Sequence, residues 1–196
     1  MSLGASSAHL AASPLAPEWL EPRGEQTSWT AEFEQERFSS LKKFPFRSEG
    51  RLDYSPEHGL WIHYPSDNRS ILVTTDEVRV LEEGGTERDT DEEFGRSLQA
   101  LLYLLDFQFE SLAEDFTIEA NGQPTEEWKI RVEPKDGEYD FASMTLNGTG
   151  TYPSFLEIDR GYRKRLDITL RPAQPMPETT GAQWLERGMN ENEPSP

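Results

Sequence analysis

The sequence predicts a mainly β fold with a helical insertion: a strongly curved antiparallel sheet, or half-open barrel, with helices on its concave face. Two long stretches alternate apolar and polar residues, the period of half-buried strands. The connections between the alternating runs are short and rich in turn residues, which leaves no room for crossover helices and requires antiparallel pairing. A stretch with helical spacing separates the two halves, and it can cover the apolar face that a sheet cannot hide alone.

The first alternating stretch runs from residue 28 to residue 81. A strand is predicted over 28–38, and a connection ending at Pro45 leads into three or four short strands. The turn sequences SPEHG, PSDN and TDE separate these strands. Their apolar residues recur at spacings of two: Leu52, Tyr54, Leu60, Ile62, Tyr64, Ile71, Val73, Val78 and Val80.

After Leu81 the spacing becomes helical, and we predict a principal helix over residues 90–105. Thr90 followed by Glu93 is a capping-box pattern, and the acidic residues at 91–93 suit the positive end of a helix dipole. Phe107, Phe109 and Leu112 indicate a second short helix. The apolar face of the principal helix comprises Phe94, Leu98, Leu101, Leu102 and Leu105.

The alternating pattern returns at Phe116 and continues to Leu170. The pairs Asn121-Gly122 and Asn147-Gly148 predict hairpin turns, because both residue types tolerate positive φ. Further strands are predicted over residues 116–120, 128–132, 141–146, 155–158 and 166–170.

The folded domain is predicted to span residues 28–171, with a polar segment at each end. Residues 1–27 are small, polar and proline-bearing, so we expect a disordered N-terminal segment. Prolines at 172, 175 and 177 stop the sheet, so residues 172–196 are predicted to be a Pro-rich tail. Neither end has periodic apolar positions, and we expect both to be dispensable for folding.

Composition narrows the classes of function. The formal net charge is −18, so we expect neither nucleic acid nor anionic lipid head groups as direct partners. The chain has no cysteine, which excludes disulfides, thiolate metal sites and cysteine nucleophiles. His9, His58 and His63 have no metal-ligand spacing, and no catalytic motif is present. We therefore predict a protein without metal, cofactor or enzymatic activity.

Apolar side chains on both faces of the first meander form the candidate site. Trp61 and His63 share one face of a strand, while Leu60, Ile62 and Tyr64 share the other. Two interpretations remain open. The residues form a well-packed core covered on both faces, or the concave face is incompletely filled and holds acyl chains.

The order of motifs in the first half resembles a known family, the LolA-like periplasmic carriers of outer-membrane lipoproteins. Members have an F-x-Q strand, a G-x-L strand, a W-x-x-x-x-P strand and an I-L-V strand in this order. The resemblance covers roughly residues 28–81. The matching motifs are Phe33-x-Gln35, Gly50-x-Leu52, Pro56, Leu60-Trp61, Pro65 and Ile71-Leu72-Val73.

The resemblance implies a half-open barrel whose apolar cavity shields acyl groups across the periplasm. Such proteins take cargo from an inner-membrane transporter and pass it to an outer-membrane receptor, and we expect a monomer. The small-residue start of the chain is typical of a signal-peptide cleavage region, in agreement with a periplasmic address. By position, Trp61 would be the aromatic at the cavity and the helix would be the lid. The predicted ligand-contacting residues are Phe33, Leu52, Trp61, Val73, Phe94, Leu98, Leu101, Leu102 and Leu105.

Two positions depart from the family pattern. Members place an arginine immediately before the proline of the third strand, bonded to the lid backbone, whereas Tyr54-Ser55 precedes Pro56 here. The aromatic that members place two residues before the tryptophan is Gly59. These departures favour a divergent relative with another lipidic cargo and a loosely held lid. The alternatives are an interaction or sensor module on the same fold, and an enzyme that acts on a lipid-like substrate.

Overall fold

The computed structural model describes residue 19 and residues 27–82, 86–88 and 90–176. Two helices, α1 (Glu92–Leu105) and α2 (Phe109–Asp115), stand between two groups of strands. The strands are β1 (Trp29–Phe38), β2 (Phe46–Ser55), β3 (Gly59–Tyr64), β4 (Arg69–Val73), β5 (Val78–Leu81), β6 (Glu87–Arg88), β7 (Phe116–Gly122), β8 (Glu127–Pro134), β9 (Ser143–Thr149), β10 (Tyr152–Asp159), β11 (Arg165–Leu170) and β12 (Gln174–Pro175). A short 3-10 turn, Pro65–Asp67, joins β3 to β4.

All twelve strands belong to one antiparallel sheet with the order β6-β5-β4-β3-β2-β1-β11-β10-β9-β8-β7, and β12 pairs with the start of β1. The sheet is not closed, because β6 and β7 are its two edges. The chain passes from one edge to the other through α1 and α2, which pack on one face. The predicted fold class, a curved open sheet with helices on one face, is confirmed. No helix in the described ranges is long and apolar enough to cross a membrane.

The main core lies between the helices and the sheet face that they cover, which we call the inner face. On β1, the side chains of Ala31, Phe33 and Gln35 are buried, while Glu32 and Glu34 between them are exposed. This is the alternation that a strand with one solvated face requires. The leucines of α1 complete the core, because Leu98, Leu101 and their neighbours are buried against the same cluster.

Two glycines let aromatic rings lie flat on the inner face. Gly50 is paired with Phe33, and a Cβ atom at Gly50 would lie 2.6 Å from the Phe33 Cζ atom and 2.2 Å from the carbonyl oxygen of His63. In the second half of the sheet, a Cβ atom at Gly148 would lie 2.2 Å from Cζ2 of Trp128. This register explains why the Phe33-x-Gln35 and Gly50-x-Leu52 motifs occur together: the ring occupies the space that the glycine leaves.

Both hairpin turns lie a few residues beyond their predicted positions. Gly122 is the last residue of β7, and Gly148 lies inside β9, which continues to Thr149. The turns fall after both pairs, so the predicted turns at Asn121-Gly122 and Asn147-Gly148 are wrong by a few residues. At Gly148 the missing side chain makes room for a ring, and the turn follows at Gly150, where φ is 59°.

Helix α1 begins two residues later than predicted. Its N-cap is Asp91 and not Thr90: the Asp91 side chain accepts a hydrogen bond from the backbone N–H of Glu93 at 3.1 Å. Both residue types are good caps, and the backbone at Asp91 is extended as an N-cap requires. The second short helix, α2, forms where Phe109 and Leu112 indicated it, and both residues are buried.

The described parts of the two end segments contact the domain. Trp19 is 4% exposed, belongs to the main core and meets the ring of Phe109 edge-on at 6.0 Å. Beyond Arg171, β12 pairs with β1, and the N–H of Met176 donates to the carbonyl of Ser28 at 2.9 Å. That the end segments are dispensable for folding stays a prediction, and Trp19 and residues 174–176 are the described positions where contacts with the domain bear on it. The remainder of the predicted segments, 1–18, 20–26 and 177–196, lies outside the described residues.

Candidate functional site

A cavity of about 590 Å³ opens at one end of the sheet, between strand ends, two loops and the start of α1. Its volume is within the range of about 300–1,000 Å³ that is typical of small-molecule sites. Most of the lining residues belong to two classes, and the remaining four are Gln35, Ser39, Thr90 and Asp91. The apolar and aromatic ones are Phe38, Phe46, Tyr64, Ile71, Val80, Phe94 and Leu166, and the cationic ones are Arg37, Lys42, Arg69, Arg88, Arg160, Lys164 and Arg165.

The cavity forms where the inner face of the sheet changes from apolar to cationic residues. Residues two apart on a strand share a face, so Phe33, Gln35 and Arg37 follow one another along the inner face of β1. On β4 the corresponding series, read toward the same end, is Val73, Ile71 and Arg69. Both strands therefore direct a buried apolar residue into the core and place a cation at the cavity.

The floor of the cavity contains one buried polar pair. Tyr64 is buried, and its hydroxyl donates a hydrogen bond to Oε1 of Gln35 at 3.0 Å. Burial raises the pKa of Tyr64, so the phenol is neutral and remains a donor throughout the physiological range. Ile71 and Val80 are buried beside it, and Phe94 of α1 is half-buried on the opposite side.

The cavity concentrates positive charge in an acidic protein. Seven of the chain's 19 Lys and Arg residues line it, together with a single carboxylate, Asp91, which already caps α1. Four of the cations have carboxylate partners, at 3.1 Å between Arg160 and Asp140, for example. Within the described ranges, Arg37, Lys42 and Lys164 form no ion pair. An anion that enters the cavity would therefore meet uncompensated positive charge.

Arg69 is the most enclosed of the cations. Its guanidinium lies 4.6 Å from the centre of the Tyr64 ring, and its nearest carboxylate, Asp67, is 4.0 Å away. The Nε–H of Arg69 is buried and has no hydrogen-bond acceptor among the described residues. A buried donor without an acceptor is unfavourable, so an oxygen atom supplied by a ligand would be stabilising there. The negative net charge of the chain therefore does not describe the positive charge that lines this cavity.

The structure places only one of the predicted ligand-contacting residues, Phe94, in the wall of this cavity. Seven others are buried in the main core, which continues from the cavity floor beneath α1. These seven are Phe33, Leu52, Val73, Leu98, Leu101, Leu102 and Leu105. The helix thus lies closed on the sheet, and its leucines touch core residues in this state.

Trp61 lies apart from the other predicted site residues. It is buried on the outer face of the sheet in a small cluster with Leu72 and Leu81, against which Met176 packs. Its neighbours Leu60 and Ile62 point into the main core, and strand alternation then directs Trp61 to the opposite side. The expectation that Trp61 is the aromatic at the cavity is corrected by this placement.

A contact that the sequence did not reveal fixes the end of α1. The hydroxyl of Tyr54 on β2 donates to the carboxylate of Asp106, the C-cap of the helix. Burial raises the pKa of Asp106, while hydrogen bonds from Tyr54 and Gln108 act in the opposite direction. Tyr54 on β2 therefore holds the C-terminal end of the helix to the sheet.

The start of α1 contacts the sheet through less surface than its end. Phe94 and Gly95 are only half-buried, whereas Leu101, Leu102, Leu104 and Leu105 are buried. Gly95 has no side chain to pack on β5, and a Cβ atom there would lie 4.0 Å from the Cβ atom of Val78. The end of the helix that borders the cavity is thus the end with fewer buried side chains.

Comparison with protein-family models and with curated proteins gives no match. Comparison with solved structures gives similar folds at low identity. A LolA superfamily protein from Nitrosomonas europaea is 8% identical to this chain with a TM-score of 0.42. The match covers 83% of this chain and 93% of that protein's chain. A domain described as an outer membrane lipoprotein-sorting protein, from Vibrio parahaemolyticus, is 9% identical with a TM-score of 0.47, covering 86% and 95%. A DUF1329 family protein from Desulfovibrio piger is 9% identical with a TM-score of 0.45, covering 78% and 87%. At these identities the similarities concern the fold alone.

Proposed function

We propose that this protein is a non-enzymatic carrier of a lipidic amphiphile, whose anionic head group is bound by the cations of the cavity and whose acyl chain enters beneath α1. The observation that carries the proposal is the composition of the cavity wall. Apolar residues continuous with the core and seven cations line the same cavity, and Arg37, Arg69 and Arg165 lie over aromatic rings of its wall. A ligand with both an apolar chain and a negative charge fits both classes of residue.

The two parts of the ligand contribute differently. Burial of an acyl chain stabilises a complex by about 0.8 kcal/mol per methylene. A membrane offers the same chain similar burial, so a carrier needs an affinity comparable with that of the bilayer and not an extreme one. The head group decides selectivity, because a charged group taken out of water needs a partner. Arg37, Lys42 and Lys164 supply charges that no carboxylate of the described chain neutralises.

Entry of the chain requires the start of α1 to move. The leucines of the helix are buried among core residues in the closed state, so a long chain that enters here displaces the helix from the sheet. Displacement of the Phe94 end, while Tyr54 and Asp106 hold the other end, would open this space. Leu98, Leu101, Leu102 and Leu105 would then contact the chain, which gives the helix the role of a lid.

The resemblance of the first half to LolA-like carriers supports the wider setting of the proposal. In that setting the protein acts in the periplasm as a monomer. It takes the acyl groups of a lipoprotein, or another lipid, from an inner-membrane transporter and passes them to an outer-membrane receptor. Lipid extraction and mass spectrometry of the purified protein would identify cargo that it has retained.

A calorimetric titration with matched amphiphiles tests the proposal. Dodecyl phosphate, a non-ionic dodecyl ether and dodecyltrimethylammonium share the chain and differ in charge, and each is used below its micellar concentration. We expect saturable binding in the order anionic, non-ionic, cationic, and weak binding of inorganic phosphate. Equal affinity for the three amphiphiles would leave a carrier without head-group selectivity. No saturable binding of any of them would contradict the carrier function itself.

Charge variants locate the head group. Arg37→Gln/Lys164→Gln removes two cations from the cavity, and we expect a loss of roughly tenfold or more in affinity for dodecyl phosphate, with little change for the non-ionic ether. Lys129→Gln/Arg131→Gln is the matched control, since it removes the same residue types from β8, whose residues do not line the cavity. A similar loss in both variants would show only the effect of net charge.

A further inference from the structure

Large apolar side chains are exposed at the mouth of the cavity. In the described part of the chain, the most exposed ones are Leu41 at 92%, Phe44 at 73% and Tyr162 at 94%. They belong to two loops, residues 39–45 between β1 and β2 and residues 160–164 between β10 and β11, which we call the apical loops. Clustered apolar exposure of this kind is typical of a surface that binds a partner or a membrane.

The apical loops are neighbours. Strands β1 and β11 are paired, with Phe38 opposite Arg165 at the point where both loops leave the sheet. The loops also contribute cations to the cavity wall, Lys42 from one and Arg160 and Lys164 from the other. The exposed apolar residues therefore stand beside the opening through which a ligand would pass.

The charges of the apical loops have one sign. Their sequences, SSLKKFP and RGYRK, contain Lys42, Lys43, Arg160, Arg163 and Lys164 and no acidic residue, in a chain whose net charge is −18. Cations interleaved with exposed leucine and aromatic residues are the composition of segments that lie in the interface of an anionic membrane.

The second loop holds its tyrosine outward by a defined backbone. Gly161, Tyr162 and Arg163 have left-handed φ values of 70°, 47° and 60°. The turn is closed by hydrogen bonds from Lys164 N–H to the Gly161 carbonyl and from Arg160 N–H to the Lys164 carbonyl, both at 2.9 Å. Left-handed backbone is unfavourable for residues with a Cβ atom, and here it presents Tyr162 to solvent and not to the core.

We propose that the apical loops dock the protein on an anionic lipid bilayer, with Leu41, Phe44 and Tyr162 inserted at the interface and the basic residues beside the head groups. Charge complementarity selects this occupant, since each cation near such a surface strengthens binding about fivefold. The acidic remainder of the protein does not prevent docking, because the Debye length is about 8 Å at physiological ionic strength and more distant charges are screened. The docked orientation turns the cavity toward the lipid.

Docking is separable from binding in the cavity, because several apical residues do not line the cavity. Leu41, Lys43, Phe44, Tyr162 and Arg163 are all absent from its wall. One variant, Leu41→Ser/Phe44→Ser/Tyr162→Asn, removes the apolar side chains, and asparagine is used because it tolerates left-handed backbone. A second, Lys43→Gln/Arg163→Asn, removes two cations and leaves all seven of the cavity. Lys129→Gln/Arg131→Gln again serves as the charge-matched control.

Co-sedimentation with vesicles is the test. We expect the wild-type protein to bind phosphatidylcholine vesicles that contain phosphatidylglycerol at least tenfold more tightly than pure phosphatidylcholine vesicles, and added salt to weaken this binding. Both apical variants should lose roughly tenfold or more in vesicle affinity, while they bind soluble dodecyl phosphate as the wild type does. The control variant should sediment like the wild type.

Three outcomes would overturn docking. If the wild-type protein does not bind the anionic vesicles but does bind dodecyl phosphate, the carrier proposal remains and the docking surface is excluded. Apical variants that sediment like the wild type would place vesicle binding elsewhere on the molecule. A concentration-dependent dimer that the apical variants abolish, without vesicle binding, would assign the loops to a second copy of the chain.

Discussion

At the scale of single residues, the inner face of the sheet depends on close contacts between aromatic rings and glycines. Phe33 lies against Gly50 and meets Tyr64 edge-on, with ring centres 5.4 Å apart. Trp128 lies against Gly148, and its Nε1–H donates to the carbonyl of Gly150 at 2.7 Å. Each half of the sheet thus places one large ring against a position without a side chain, which explains Gly50 and Gly148 within their strands.

Gly50→Ala should destabilise the protein. The new methyl group would meet the carbonyl oxygen of His63 and the ring of Phe33 at distances that force the strands to move. Overpacking of a core position costs about 1–3 kcal/mol. Urea unfolding measures the change, with Gly137→Ala as the control because a Cβ atom there has no neighbour within 4 Å. Equal urea midpoints for the two variants would contradict this prediction, because they would show that β1 and β2 accommodate the methyl group without loss of stability.

At the scale of elements, α1 is fixed at one end and only half-buried at the other. The Tyr54–Asp106 hydrogen bond and the buried leucines hold its C-terminal half. At its start, the half-buried Arg96 pairs with Glu92 and Glu138, whose side chains are exposed. Exposed ion pairs contribute little to stability, so this end is held weakly. A helix built in this way can open at the cavity and remain attached to the sheet.

Asp106→Asn should reveal, as a function of pH, the cost of a half-buried carboxylate at the end of α1. The pKa of Asp106 is raised above its ordinary value of 3.8, so the folded protein disfavours the ionised form. Between pH 3.8 and the raised pKa, the wild type should lose stability relative to the asparagine variant as pH rises, and the difference should be constant above that window. Melting temperatures of both proteins across this range measure the effect. If the wild type instead becomes more stable than the variant as pH rises, the hydrogen bonds to Asp106 lower its pKa by more than burial raises it.

The sequence predicted the elements better than their faces and ends. Periods of two and of 3.6 are local, so the strands and α1 could be predicted within a few residues. Whether Trp61 faces the core depends on which side of the sheet the helices cover. The position of the second hairpin turn depends on whether Gly148 forms the turn or leaves space for the ring of Trp128. Trp19 was assigned to a dispensable segment because a single buried residue has no periodicity. These features are decided by tertiary packing.

At the scale of the whole molecule, the distribution of charge matters more than its sum. The cations of the cavity come from positions as distant in sequence as Arg37 and Arg165, and sheet pairing of β1 with β11 brings them to one end. No sequence window shows this convergence, so the net charge of −18 suggested that anionic lipids would be avoided. The structure has an acidic body with a basic, partly apolar end, and the carrier and docking proposals both rest on that end.

A reversible covalent link between α1 and β5 tests the central claim, that the acyl chain enters beneath the start of the helix. The chain has no native cysteine, and the Cβ atoms of a Val78→Cys/Gly95→Cys pair would lie 4.0 Å apart, which is suitable for a disulfide. Dodecyl phosphate is titrated into the oxidised and the reduced forms, with Gly95→Cys alone as the control for oxidation. The account predicts that the oxidised form loses saturable binding and that reduction restores it. Equal affinity in both forms, with the disulfide verified by mass spectrometry, would contradict the lid and leave the leucines of α1 as ordinary core.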